Sequence, residues 1–332
     1  MKVLVVGGTR FLGHELAWRL LFAGHEVTLF NRGREADAFG GRVERLRGDR
    51  TTVDFDHLLH GRTFDAAVDF AAYTADDARR VVSTLAGSVG HYVVISSGQV
   101  YLVREGAPRP AKEEDYDGPL LPVPPDPADK REWDYGMGKR ALEDVLAEAW
   151  EKGRFPSTRV RLPMVNGERD HNRRLEGYLW RILDGGPLIV PDGGDRPMRH
   201  VYSGSAAKAI LGLLGEARAL GRAYNLAQDE TPTLVELLTT TAELLGAPAR
   251  LRPVAAKDLV AAGLPPVRVS PFSGRWMSFV DPARAKAELG FRHEPLRSYL
   301  DKIVAAFLAS PPRDTPPAYA DRAREKALLA RL

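Results

Sequence analysis

The sequence predicts an α/β protein: a doubly wound parallel sheet with a smaller α/β lobe interleaved into its C-terminal half. Three observations predict it. A glycine-rich turn, "VVGGTRFLG" (5–13), joins a short apolar run to a helical pattern. Short apolar runs then alternate with helix-period segments as far as residue 165, which argues for parallel strands covered on both faces. Beyond about Asn166 the pattern loses its regularity, and turns such as "DGGP" and "PDGGD" separate further helical stretches.

Taken in order, Lys2–Val6 reads as a fully buried strand, and 13–23 as an amphipathic helix stopped by Gly24. Strands follow in "HEVTLFNR" (25–32), "RVERLRGD" (42–49), "FDAAVDFAA" (64–72) and "HYVVISS" (91–97), with a helix over 75–87 between the last two. The Pro- and charge-rich stretch 104–134 reads as a long surface excursion, ordered over a ligand. A helix from Tyr135 to about Lys152 leads into a sixth strand, "STRVRLPMV" (157–165). Later helices fall near 175–184, 205–217, 233–245 and 283–289. The expected divisions are a cofactor-binding domain over 1–165, a second lobe over 166–310, and a linker with a short charged helix over 311–332.

Bulk properties narrow the function. A chain of 332 residues suits one large domain with an annexe. A net charge of +3 admits an anionic ligand without demanding a nucleic-acid surface. The absence of cysteine excludes disulfides, thiolate metal sites and cysteine nucleophiles. No apolar run approaches the roughly 18 residues of a membrane span, and "MKVLVVGG" enters a strand directly, so a cytoplasmic protein is expected. "RDHNRR" (169–174) has no second histidine at ligand spacing, so no metal site is expected. "KEEDYD" (112–117) reads as a solvated loop and His200 as a packed histidine.

In a strand–turn–helix the first glycine allows the tight turn and the last lets helix and sheet pack closely. Gly7 and Gly13 hold those places, and Arg10 takes the middle one. The helix N-terminus then offers N–H groups to a pyrophosphate, so a dinucleotide is the expected cofactor, with Thr9, Phe11 and Leu12 completing the turn. The second strand ends "LFNRGR", where Asn31, Arg32 and Arg34 replace the acid that would grip the ribose of NAD. A guanidinium fork binds a 2′-phosphate. NADP is therefore expected ahead of NAD, with Arg10 closing over the phosphate or the adenine.

"WDYGMGKRALEDVL" (133–146) places Tyr135 and Lys139 at i and i+4 on one helix face. A tyrosine with a pKa of about 10 needs a neighbouring cation to work near neutrality. In this the sequence resembles the short-chain dehydrogenase/reductase superfamily, which uses such a pair as general acid/base. "ISSGQVY" (95–101) is similar to a segment of its extended branch, the NAD-dependent epimerase/dehydratase family, in which a hydroxyl at the place of Ser97 holds the reacting oxygen. The resemblance implies a Rossmann-type sheet and runs over about residues 1–308. By it, Asp49 and Arg50 of "RGDR" would meet the adenine; Phe70, Ala71 and Ala72 of "DFAAY", with Ser96, would line the cofactor; and Pro163 and Val165 of "RLPMVNG" would flank the nicotinamide. "YNLAQDETPTLVELL" (224–238) and "DPARAKAELGF" (281–291) resemble signatures of the second lobe.

The pattern breaks at "MRHVYSGSAAKAI" (198–210): Gly204 and Ser205 replace a carboxylate pair, and Met198 stands where the family has a phosphate-gripping arginine. This weakens the case for a nucleotide sugar, and Gly98–Gln99 after Ser97 argues against a dehydratase. The resemblance implies hydride transfer at a hydroxyl or carbonyl carbon of a small polar metabolite, as oxidoreductase or epimerase, with Ser97, Tyr135 and Lys139 catalytic. Substrate contacts would come from Ser97, Gln99, Asn166, Arg199 and Arg275, with the substrate between the lobes under 104–134 and 167–177. A homodimer paired through the Tyr135 helix and the 75–87 helix is also implied. The turn and "RGDR" resemble as well the chloroplast stem-loop binding proteins, an RNA-associated branch. That makes a non-catalytic RNA-binding or regulatory protein the alternative, but "GRVERLRGDR" is short and lacks aromatics, so no nucleic acid is expected.

Overall fold

The computed structural model describes all 332 residues. The first half of the chain runs β1 (Lys2–Val6), α1 (Phe11–Phe22), β2 (Glu26–Asn31), β3 (Val43–Arg47), α2 (Asp54–Leu59), β4 (Ala66–Asp69), α3 (Ala75–Leu85), β5 (Tyr92–Ser97), α4 (Gln99–Leu102), α5 (Pro127–Gly153) and β6 (Ser157–Leu162). It continues with β7 (Met164–Asn166), α6 (Arg174–Leu183), β8 (Leu188–Pro191), β9 (His200–Tyr202), α7 (Ser203–Leu213) and β10 (Ala223–Asn225). The remainder is α8 (Leu234–Leu244), β11 (Leu251–Val254), α9 (Ala256–Ala261), α10 (Pro266–Val269), α11 (Ala283–Leu289), α12 (Leu296–Ala309) and α13 (Arg322–Leu329). These form two compact units. The first comprises Met1–Pro163, Ser203–Ala227 and Ser278–His293; the second comprises Met164–Tyr202, Gln228–Met277 and Glu294–Leu332.

The first unit is built on a seven-stranded sheet in the order β3-β2-β1-β4-β5-β6-β10, every neighbouring pair parallel. Strand order reverses between β1 and β4, and crevices at the carboxyl ends beside such a reversal are where α/β sheets bind ligands. Val3, Leu4 and Val5 are wholly buried, which is why the first strand reads as an unbroken apolar run. Helices cover both faces, α1 against α7 and α3 against α5.

Several expectations need correction here. The strand expected over 157–165 is two: Pro163 lacks a ladder donor and separates β6 from β7, which pairs with β9 in another sheet. α5 starts at Pro127, not Tyr135, because Asp126 caps it, accepting from the N–H groups of Ala128 and Asp129 at 2.9 Å, with proline at the first helical position. The "KEEDYD" stretch is solvated only in part, with Lys112, Glu114 and Asp117 exposed. Glu113 is buried and accepts the Asn225 N–H at 2.7 Å, while the Tyr116 hydroxyl donates to Asp144 at 2.7 Å beneath the Arg140 and Arg161 guanidinium groups.

The second unit has two parallel strand pairs, β8 with β11 and β7 with β9. Leu175, Tyr178, Leu237, Tyr299 and Ile303 share its core. α12, which the sequence reading passed over, supplies two of these. Residues 311–332 are no loose linker: Glu325, fully buried, accepts from Arg181 at 3.0 Å, and Arg322 donates to Asp184 at 2.7 Å.

Candidate active site

The glycine turn after β1 has no room for side chains. Gly7 sits at φ +82° with its N–H on the Phe30 carbonyl at 3.0 Å, and a Cβ there would lie 3.3 Å from that of Ala71. A Cβ on Gly13 would come within 2.9 Å of the Gly8 backbone, and one on Gly8 within 2.5 Å of Val5. Gly8 is therefore a third required glycine that a fixed three-residue spacing overlooks. Phe11 opens α1 at φ +43°, a strained position for a bulky residue, and such strain gathers at ligand clamps. Thr9 is half-buried in the turn and Leu12 faces the core. No side chain caps α1 and its first turn holds no acid, so its N–H groups and dipole suit an anion. This donor set fits a dinucleotide pyrophosphate.

At the end of β2, the Asn31 side chain accepts the Gly33 N–H at 2.8 Å, and Arg32 and Arg34 are exposed. Asp49 accepts from the Thr51 N–H and hydroxyl at 3.0 and 2.8 Å; these bonds, then the charges of Arg32 and Arg34, hold its carboxyl below the usual range. The strand end is not free of carboxylates, as "LFNRGR" suggested, because Glu35 lies one residue beyond and pairs with Arg10. Two other expected cofactor contacts are engaged internally. The buried Arg50 guanidinium donates to Asp69 at 2.5 Å and lies 3.3 Å from Asp77, and the buried Ser96 hydroxyl donates to Glu143 at 2.5 Å. Glu143 is in turn gripped by Arg161, whose Nη1 reaches the Tyr101 hydroxyl at 2.6 Å.

Ser97, Tyr135 and Lys139 do meet, and two glycines bring them together. A Cβ on Gly136 would lie 2.9 Å from the Gln99 carbonyl, and one on Gly138 2.8 Å from the Tyr73 carbonyl. The glycines of "YGMGK" therefore let α5 close on α4 and on the segment after β4. Ser97 Oγ accepts the Gln99 N–H at 3.1 Å and hydrogen-bonds the Tyr135 phenol. Lys139 is buried, and its Nζ donates to the carbonyls of Ala72 at 2.6 Å and Ile95 at 2.8 Å. Burial lowers the Lys139 ammonium to about 8 and pushes the Tyr135 phenol up to about 12, the Ser97 hydrogen bond opposing the latter. The expectation that Lys139 pulls the phenol down is thus corrected: its hydrogen bonds go to backbone carbonyls, and Nζ stands 5.9 Å from the Tyr135 ring centre. At neutral pH the phenol carries its proton and can give it.

Phe70 and Ala71 are half-buried at the end of β4, and Ala72 is buried. Two neighbours of the trio escaped the sequence reading. Tyr73 lays its ring over Lys139, centre to Nζ 4.4 Å, and 6.2 Å from the Tyr135 ring. Glu132 accepts from Gln99 Nε2 at 2.5 Å through its side chain and at 3.3 Å through its carbonyl, which fixes the orientation of that amide. A residue three before the tyrosine on the same helix face was the available signal for Glu132.

Pro163 is buried and closes the first unit, and Val165 is half-buried in the second. Asn166 is wholly buried, donating to His200 Nδ1 at 3.0 Å, so its side chain serves the interior. His200 is packed as expected, against Phe272, and burial followed by the Arg174 charge lowers it to about 3. Arg199 donates to the Asp229 carbonyl at 3.3 Å, and the exposed Arg275 stacks on Trp276.

Comparisons with known proteins agree with this architecture. The chloroplast stem-loop binding protein of 41 kDa b from Arabidopsis thaliana is 28% identical over 261 residues, covering 74% of this chain but 64% of its own, just under two thirds. The 2'-dehydrokanamycin reductase of Streptomyces kanamyceticus is 27% identical over 253 residues, covering 75% of this chain and 68% of its own. The crystal structure of dTDP-glucose 4,6-dehydratase from Bacillus anthracis in complex with NAD shares the fold at a TM-score of 0.73 and 16% identity, over 93% of this chain and 97% of that one. Residues 3–227, about two thirds of the sequence, match one family model. The chain belongs to the NAD dependent epimerase/dehydratase family, a family of NAD-dependent enzymes.

Proposed function

We propose that the protein is an NADP-preferring reductase acting on a carbonyl carbon of a small polar metabolite. The observation that carries this is the assembly of Ser97, Tyr135 and Lys139 by the close approach of α5, with the phenol protonated and hydrogen-bonded to the serine. Gly7, Gly13 and the first N–H groups of α1 would hold the cofactor pyrophosphate. A nicotinamide bound there supplies the hydride. Ser97 holds the carbonyl oxygen by its hydroxyl, and Tyr135 passes its proton to that oxygen as negative charge develops. The Lys139 ammonium, anchored by two carbonyls, retains a third N–H for a ribose hydroxyl. The same groups run in reverse would serve an epimerase, but a phenol held well above neutrality favours the donating direction. A relative named as a 2'-dehydrokanamycin reductase supports this choice.

Arg32 and Arg34 support NADP, and Arg10 joins them if a 2′-phosphate displaces Glu35. The exposed Arg10–Glu35 pair is worth little by itself, so a doubly charged phosphate competes well for the guanidinium. Titration with NADPH and NADH, followed by nicotinamide fluorescence, tests both levels. NADPH is expected to bind about ten- to a hundredfold tighter, the scale of one or two hydrogen bonds to a charged group, and Arg32→Ala should erase most of that margin. Tighter binding of NADH removes the NADP preference; no binding of either removes the enzyme reading.

A further inference from the structure

Lys139 is 2% exposed, yet it forms no ion pair, and both of its hydrogen bonds go to neutral carbonyls. The charged groups that face it are already committed. Asp69 on β4 and Asp77 on α3 are paired with Arg50, and Glu143, one turn along α5, is paired with Arg161. What remains in direct contact is aromatic. The Tyr73 ring centre lies 4.4 Å from Nζ, well inside the range of a cation–π contact, and the Tyr135 ring is a weaker second at 5.9 Å.

The backbone of Tyr73 is held independently of its ring. Its N–H donates to Asp77 at 2.8 Å, beside the box in which Thr74 and Asp77 cap α3, and its carbonyl is the group that α5 approaches at Gly138. The residue is 48% exposed, so its ring covers the ammonium while part of the side chain meets solvent. Besides Lys139 the ring has one aromatic neighbour, Tyr135 at 6.2 Å, and a half-exposed aromatic so placed is poorly explained as core.

We propose that Tyr73 is a positioning residue for Lys139, its ring face keeping the ammonium charged and fixed beneath the cofactor ribose. The ribose half of this statement rests on the reductase reading above; the Tyr73–Lys139 contact does not. A buried ammonium whose counter-charges are taken elsewhere depends on whatever dipoles and π faces touch it. Tyr73 is the one of these contributions that a side-chain substitution can remove without replacing Tyr135.

The test is an NMR pH titration of protein labelled at the lysine ε-carbons, with the Lys139 signal assigned by its loss in Lys139→Met. Tyr73→Phe, which keeps the ring face, should leave the Lys139 midpoint in place. Tyr73→Leu, which keeps apolar cover without the ring, should lower it by about half to one pH unit. At pH 7.5 the same leucine variant should bind NADPH severalfold more weakly, and the phenylalanine variant should not. An unchanged midpoint in Tyr73→Leu overturns the proposal, as does a phenylalanine variant that shifts like leucine. Should Tyr73→Leu melt within the titration range, Tyr73→Met carries the same comparison. The midpoint is read without cofactor, so a protein that binds no nicotinamide would lose the reductase reading and still decide this one.

Discussion

In the proposed reduction Ser97, Tyr135 and Lys139 each depend on what holds them, and burial shifts the titration of two of them. Tyr135→Phe removes the proposed proton donor while keeping the ring beside Tyr73. On whichever carbonyl compound an NADPH-coupled screen identifies, turnover should fall by about a hundredfold or more, the scale of one general acid, with NADPH affinity nearly unchanged. Retained turnover would transfer the donor role to another group. Tyr135 and Lys139 were legible because their spacing is local, i and i+4 on a helix, whereas Ser97 was singled out only by the resemblance of "ISSGQVY" to its family segment. Arg50 and Ser96 misled because their partners Asp69 and Glu143 are remote in sequence, and nothing near either residue announces that a buried carboxylate will claim it. Glu35 and Tyr73 were missed for the same reason: one pairs across a turn and the other across a helix–strand junction.

Helix α5 combines two opposite demands on glycine. In a helix interior, glycine costs about 1 kcal/mol relative to alanine, so Gly→Ala should ordinarily stabilise. At Gly138 the new Cβ would lie 2.8 Å from the backbone carbonyl of Tyr73, a group that cannot rotate away. Gly138→Ala should therefore lower the melting temperature by several degrees, since a displaced helix costs more than the propensity returns. Gly153 has nothing within 4 Å of its Cβ position, and Gly153→Ala should raise it. A thermal melt of the two variants checks the contrast, and a stabilised Gly138→Ala would mean that α5 is not pressed against that carbonyl. At this scale the sheet was readable from alternating apolar runs, whereas helix limits were not. The cap at Asp126 was lost in a Pro-rich segment, and the amphipathic pattern of Leu296–Ala309 went unread behind the segment at 283–289.

Burial holds one histidine of each unit, His91 and His200, in the neutral form. In the first, His91 accepts the Gly215 N–H at Nδ1 and donates from Nε2 to Thr158, whose hydroxyl passes on to the Ala219 carbonyl. Burial lowers His91 to about 4, as it lowers His200 to about 3 in the second unit. In the unfolded chain both would titrate near 6.5. Between pH 6.5 and 4 the unfolded state therefore binds more protons, so the stabilisation present above 6.5 is lost as the pH falls through that window. The loss is up to about 1.4 kcal/mol per pH unit for each histidine. Melting temperatures should drop from pH 7.5 to pH 5, and His91→Gln, whose amide can both accept and donate, should shallow that slope. Parallel slopes for the two proteins would remove His91 from the acid response. The interleaving of the units has a consequence for synthesis on the ribosome. The last strand of the main sheet, β10, ends at Asn225, and the first unit is complete only at His293, while the second unit awaits Leu332. Neither can close while the chain is still short, so the unpaired edge of β6 waits for its partner through some sixty intervening residues. A nascent chain of this kind depends on chaperoned delay more than on rapid domain-by-domain collapse.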